Sequence, residues 1–211
     1  MSRAEVADRI AARFNSRFLQ GYVRSKVRTD PVYEAVRVRL QGHEHPLVDV
    51  GCGIGLLPLY LREHGYSAPI VGLDFDRRKI DSAPQIDGVT FRSGDAREPL
   101  PQEHSVVMLD LLHYFTTGEQ RAILANAARA VPRGGVVIIR DAVNDGSWRY
   151  RATYLAESFA RIIAWLKAER LNFPTRATIE AAFAGFEQEI VPLYGRTPFN
   201  NYLFVFRRSR D

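Results

Sequence analysis

Four aspartates, three glycines and one histidine are the residues whose types and spacing could do chemistry in this chain. Gly51, Gly53 and Gly55 alternate within Val48-Asp-Val-Gly-Cys-Gly-Ile-Gly55. Glycine has no Cβ, so such a turn can be sharp and its backbone can lie directly against a ligand. A helix starting there aims its free N–H groups at the same ligand. A nicotinamide-type G-x-G-x-x-G counted from Gly51 would need glycine at position 56, which is Leu56. Asp74 closes the next apolar run, Ile70 to Leu73, 23 residues after Gly51. A carboxylate at that strand tip sits beside the glycine turn and can accept both hydroxyls of a ribose. Asp95 and Asp110 close two further runs. Each acid alone reads as a solvated cap, but three successive strands closed by acids on one edge point to a ligand crevice. His113 is the candidate general base, because an unperturbed imidazole exchanges protons near neutral pH. The alternative is a histidine that only contacts the bound molecule.

Holding these groups on one edge requires strands alternating with helices. The strands read as Leu47–Val50, Ile70–Leu73, Val89–Phe91, Ser105–Leu109 and Val136–Ile139, with a hairpin of a strand ending at Val191 and Tyr202–Phe206. Helices are expected at about 55–63, with Pro58 harmless in the first turn, and at 76–83. A Thr117/Gln120 capping box should open the next, with Ile123, Leu124, Ala127 and Val131 inward and Pro132 as its stop. The longest helix is predicted over 148–171, with Leu155, Phe159, Ile162, Ile163 and Leu166 at core spacing, and Thr178 should cap a short one ending at Ala184. Ahead of the sheet, 2–23 reads as one amphipathic helix, with Val6, Ile10, Phe14, Phe18 and Tyr22 every four residues. Asp30-Pro31 breaks it before a second helix, Val32–Leu40. The expected class is α/β: a three-layer αβα sandwich on a seven-stranded, mostly parallel sheet with an antiparallel C-terminal hairpin. Residues 1–44 form a helical extension or lid, and 45–211 form the ligand-binding domain.

Strand, G-x-G-x-G turn, helix, strand and acid, in that order, resemble the class I S-adenosylmethionine-dependent methyltransferases over about residues 45–208. The resemblance implies S-adenosylmethionine as cofactor. It implies that Asp49 and the turn of Gly51, Cys52, Gly53 and Gly55 hold the methionyl part, and that Asp74 takes the ribose. Phe75 would lie against the adenine, Asp95 would accept from its amino group, and the Ala96 N–H would face the ring. Relatives carry an acid at the position of Asp110 and often a histidine at that of His113, beneath the donor methyl. Ser105 stands where relatives usually have an acid. The Asn/Asp-Pro-Pro-Tyr box of enzymes that methylate amino groups of nucleobases or glutamine is absent, which disfavours that chemistry. Methyl transfer is a one-step in-line displacement, so such an enzyme mainly aligns its substrates and excludes water.

Acceptor contacts are expected from segments over the carboxyl ends of the strands. These are Tyr22 and Lys26, then Tyr114, Asp141 and Asn144, then Arg149, Tyr150 and Tyr154, and finally Tyr194, Arg196 and Phe199 in the hairpin loop. Aromatics mixed with arginines suit a planar acceptor bearing an anionic group. The leading reading is O- or C-methylation of a small molecule. Lys26–Pro31 and Thr197–Asn201 are also similar to methyltransferases of bacterial aryl-polyene pigment pathways. That similarity implies secondary metabolism and a phenol or carboxyl acceptor, extending to one bound to a carrier protein. The competing readings are an RNA methyltransferase and a non-catalytic S-adenosylmethionine-binding protein.

Composition narrows the field. Net charge is +5, and residues 1–40 already hold nine Arg or Lys against four Asp or Glu, leaving 20 of each in the rest. A neutral body with a basic extension argues against a nucleic-acid enzyme, which would spread positive charge over its site. The basic helix could alternatively dock on an anionic surface. A single cysteine, Cys52, rules out a disulfide framework and suits a reducing, cytoplasmic setting. No histidine set has metal-ligand spacing, no apolar run reaches a membrane span, and the N-terminus does not read as a secretory signal.

Overall fold

The computed structural model describes residues 1–164, 171–195 and 197–211. Strands β1 (Leu47–Val50), β2 (Ile70–Asp74), β3 (Val89–Ser93), β4 (Ser105–Leu109) and β5 (Val136–Ala142) run parallel. Strands β6 (Glu187–Pro192) and β7 (Asn201–Arg207) add the antiparallel hairpin, and the sheet order is β3-β2-β1-β4-β5-β7-β6. Strand order reverses between β1 and β4, which opens a crevice at the carboxyl edge.

Eight α-helices occur among the described residues: α1 (Arg3–Ala11), α2 (Arg17–Thr29), α3 (Val32–Arg39), α4 (Leu56–Glu63), α5 (Arg77–Ser82), α6 (Thr117–Ala130), α7 (Trp148–Ala164) and α8 (Arg176–Ala181). Period-two alternation builds the three layers. Leu47, Val107, Ile138 and Val205 face α1 to α4, whereas Val48, Met108, Val137 and Phe204 face α6 and α8.

Several boundaries move. Residues 2–23 are not one helix: Ser16 accepts from the Leu19 N–H at 3.5 Å and starts α2 afresh after a turn at 12–16. That restart resets the helical phase. Val23 and Val27 take the buried face of α2, and Phe18 and Tyr22 turn outward, at 82% and 48% exposure. The capping box of α6 lies one residue earlier, with Thr116 Oγ1 accepting from Glu119 N–H and Glu119 accepting from Thr116 N–H. Thr175 rather than Thr178 caps α8, which ends at Ala181. In α7, Leu155 is exposed rather than core. Residues 165–170, including Leu166, and the side chains of Phe159, Ile162 and Ile163 lie outside the described part. Strand β5 runs three residues past its expected end because β7 pairs with it as far as Ala142 and Asn201. That extension makes Arg140 and Asp141 residues of the sheet.

Candidate active site

The glycine turn is held from two sides. Gly51, Gly53 and Gly55 have φ of 78°, 58° and 82°, the left-handed region that favours glycine. A Cβ at Gly55 would stand 2.5 Å from Phe91 Cζ, and one at Gly51 would stand 2.9 Å from Leu111 Cδ1. Asp74 ties the turn to β2: its Oδ2 accepts from Gly53 N–H and its Oδ1 from Asp76 N–H, each at 2.8 Å. The N–H groups of Gly51 and Cys52 both donate to Leu73 O, at 2.7 and 2.9 Å. Burial pushes the Cys52 thiol far above its ordinary range, so this side chain packs and does not react.

Asp49 is 2% exposed, and its Oδ2 has no hydrogen-bond partner among the described residues. Burial, followed by the charge of Asp74, raises its carboxyl to about 8. An unsatisfied buried carboxylate is costly, so this atom calls for a cationic or donor group from a ligand. It opens into a cavity of about 760 Å³ lined by the turn, Asp74, Phe75, Asp95 and Ala96. Phe75 is 78% exposed at its rim. The Asp95 carboxylate is already gripped by Arg97, whose Nε and Nη2 reach it at 2.9 and 2.5 Å and hold its carboxyl below the usual range.

A second cavity, of about 1000 Å³, adjoins the first and is lined by His113, Asp141, Phe173, Tyr194, Thr197 and Phe199 among others. His113 and Asp141 are both buried, with His113 Nδ1 2.8 Å from Asp141 Oδ1. The other oxygen of Asp141 accepts from Leu112 N–H at 2.8 Å, so one carboxylate fixes both the ring and the short 3-10 turn Leu112–Tyr114 that carries it. Phe173 stacks on the His113 ring at 5.2 Å between centroids. Gln120 Nε2 braces the turn through Leu112 O and Asn172 O, at 3.0 and 2.6 Å.

The expected acceptor residues separate on inspection. Tyr114, Asp141, Tyr194 and Phe199 line this cavity, and Lys26 lines both. Asp141 is fully buried and spends its carboxylate on His113 and on backbone N–H groups. Tyr22 lines the first cavity instead of the second. Tyr150 and Tyr154 stand behind the wall, edge-on to Phe173 at 5.9 and 6.3 Å. Arg149 lies between the rings of Trp148 and Tyr194, 4.8 and 4.3 Å from their centroids, and donates to Thr197 O. It clips the hairpin loop to α7. Asn144 binds Pro174 O through its backbone N–H. Arg196 lies outside the described residues.

Sequence reasoning missed Arg3, Arg140, Thr153 and Phe173, which also line the second cavity. Arg140 had a signal, since an arginine inside an apolar strand must find buried partners. Phe173 had none. The two cavities share Lys26, Asp110, Tyr114 and Arg140.

A family model described as a methyltransferase domain matches residues 11–193, most of the chain. The chain belongs to this family. Its methyl donor in the class I branch is S-adenosylmethionine, and the orphaned Asp49 oxygen and the glycine cradle fit that molecule. Among curated relatives, desmethylxanthohumol 6'-O-methyltransferase of Humulus lupulus is 36% identical over 102 residues, 47% of this chain and 28% of that protein. Nicotinate N-methyltransferase 1 of Glycine max is 32% identical over 141 residues, 61% of this chain and 39% of that protein. The match thus spans well under half of these relatives' length. Magnesium protoporphyrin IX methyltransferase of Synechocystis, solved with S-adenosylhomocysteine, superposes with a TM-score of 0.67 at 19% identity, covering 97% of this chain and 94% of that one. At that identity the likeness establishes the shared fold. No helix among the described residues is long and apolar enough to cross a membrane.

Proposed function

We propose that this methyltransferase transfers a methyl group from S-adenosylmethionine to a hydroxyl oxygen of a small, planar acceptor. The observation that carries the reading is the buried His113–Asp141 pair on the wall of the cavity that adjoins the glycine turn. When bound, the donor supplies a sulfonium methyl ready to leave in a single displacement. In the first cavity, Asp49 and the turn of Gly51, Cys52, Gly53 and Gly55 would hold the donor's methionyl part, Asp74 would take the ribose hydroxyls, and Phe75, Asp95 and Ala96 would hold the adenine. In the second cavity, Tyr114, Phe173 and Tyr194 hold an aromatic ring. The Asp141 bond makes Nδ1 the protonated nitrogen of His113, leaving Nε2 as the basic one. His113 takes the acceptor's hydroxyl proton as oxygen attacks, and Asp141 stabilises the imidazolium that results. Removing a hydroxyl proton is what such a pair does best, which favours oxygen over carbon.

Ion pairing of the described cations favours an acceptor without a formal charge. Each described cation on the second wall is already engaged: Lys26 with Asp30, Arg28 with Asp8, Arg140 with Asp30 and Asp110, and Arg3 with the carbonyls of Val27 and Asp30. The same economy supports a small acceptor over RNA, because Arg9 and Arg13 pair with Glu63 and Arg24 pairs with Asp8. Residues 1–44 act as a roof: Val6, Ile10 and Val27 are fully buried in the core, and Tyr22, Lys26 and Tyr33 face the donor cavity.

The test is labelled S-adenosylmethionine with a panel of phenols and catechols. His113→Gln should cut turnover about 100-fold or more, the scale of general-base catalysis, with S-adenosylhomocysteine affinity within about threefold. Near-normal turnover in the variant excludes the base, and a wild-type protein that methylates no hydroxyl on the panel overturns oxygen transfer.

A further inference from the structure

Of the residues common to both cavities, Lys26 and Arg140 are cationic and Asp110 is anionic; Asp30, on the wall of the second cavity, supplies the balancing carboxylate. Lys26 Nζ lies 2.7 Å from Asp30 Oδ2, and Arg140 Nη2 reaches the same oxygen at 3.0 Å. Arg140 Nη2 also meets Asp110 Oδ2. Two cations and two carboxylates therefore meet where the cavities join. Asp30 and Arg140 are buried, whereas the side chains of Lys26 and Asp110 are about one-third exposed, so the junction borders solvent and screening there is intermediate. Burial opposes the charge on both carboxylates: at Asp30, Arg140 and then Lys26 outweigh it and hold the carboxyl below its ordinary range, whereas at Asp110 burial outweighs the same cations and raises the carboxyl. Asp110 takes part from a left-handed backbone, φ 54°, a conformation that a non-glycine residue keeps only when its surroundings enforce it.

Buried ion networks of this kind add little net stability compared with apolar packing, so its use lies elsewhere. A methyl group passing between molecules in adjoining cavities must lie at their junction. The atom that carries it is a positive sulfonium before transfer and a neutral thioether after. We infer that Lys26, Asp30, Arg140 and Asp110 set the discrimination between methyl donor and demethylated product by holding the junction at zero net charge. The inference rests on the donor reading of the first cavity. A net negative junction would grip the sulfonium, whereas a net positive one would favour the thioether and deepen inhibition by product. One unit charge about 8 Å away at an effective dielectric near 40 shifts such a ratio about fivefold.

The experiment is calorimetric titration of the full chain with S-adenosylmethionine and with S-adenosylhomocysteine, reading the ratio of the two dissociation constants. Lys26→Met should move the ratio about fivefold toward S-adenosylmethionine, and Asp30→Asn about fivefold toward S-adenosylhomocysteine. Arg140→Lys, which keeps the charge, should leave the ratio within about twofold. A merely structural role would weaken both ligands together and leave the ratio unmoved in every variant, which overturns the inference. A wild-type protein that binds neither ligand sinks the donor reading itself. If Asp30→Asn does not fold, Lys26→Met decides alone, since it removes a partly exposed side chain.

Discussion

The two cavities, proposed to take donor and acceptor, share residues at their junction and differ in how they are built. The proposed donor side draws much of its lining from short contiguous stretches, 49–54, 73–76 and 94–97, to which Lys26, Lys79, Asp110, Glu119 and Arg140 add charged side chains. The acceptor side is assembled from side chains scattered between Arg3 and Asn201, held by ring stacking and by the Arg149 clip. A backbone cradle suits a ligand whose structure is constant across a family. The part of that wall carried on loops, Tyr194, Thr197 and Phe199 among it, can be exchanged without disturbing the sheet, which makes it the expected place for acceptor choice on the proposed reading.

That contrast can be broken most forcefully at Asp74. Asp74→Ala removes the proposed ribose acceptor and frees the Gly53 and Asp76 N–H groups. Affinity for S-adenosylhomocysteine should fall about 1000-fold, since charge-assisted hydrogen bonds contribute about 1.5–3 kcal/mol each. Calorimetry showing an unchanged affinity would remove Asp74 from the donor site. A smaller effect comes from Asp49, whose raised carboxyl must ionise to meet an ammonium. Donor affinity should strengthen about tenfold per pH unit from about 6 to 8, with close to one proton released. Because the folded value lies above the unfolded one, ligand-free protein loses stability from this group as pH rises from about 4 through about 8. The melting-temperature gap between bound and free protein should therefore widen with pH; a pH-independent gap would contradict the orphan-carboxylate account. The smallest effect is expected at the clip. Arg149→Ala should raise the acceptor's KM about three- to fivefold through a loosened hairpin loop, with S-adenosylhomocysteine affinity unchanged. An equal loss on both sides would mean that the two cavities are one unit.

The expected strands all occur; the central ones, β1, β4 and β5, are apolar runs buried on both faces, which need no long-range information to be read. The acids at their tips were equally visible, as was the glycine spacing that separates this turn from a dinucleotide fingerprint. Reading fails where distant residues compete for one position. The four-residue apolar spacing through Phe18 and Tyr22 looked continuous, yet the Ser16 cap interrupts it and rotates both rings outward. Asp141 lines the second cavity as expected, but its carboxylate is committed to His113 and to backbone N–H groups, a partnership that no local pattern showed. Arg149 looked like a free cation, and stacking between Trp148 and Tyr194 engaged it.

Local order along the chain was enough to specify the sheet, its glycine turn, the acids on one edge and hence the class of donor, since each is a short-range consequence of residue type and period. Contacts across 60 to 110 residues were needed to bring Phe173 onto His113, to pair Asp30 with Arg140 and to divide the interior into two chambers. No local pattern records those meetings, because they arise from how separately stable layers close on one another.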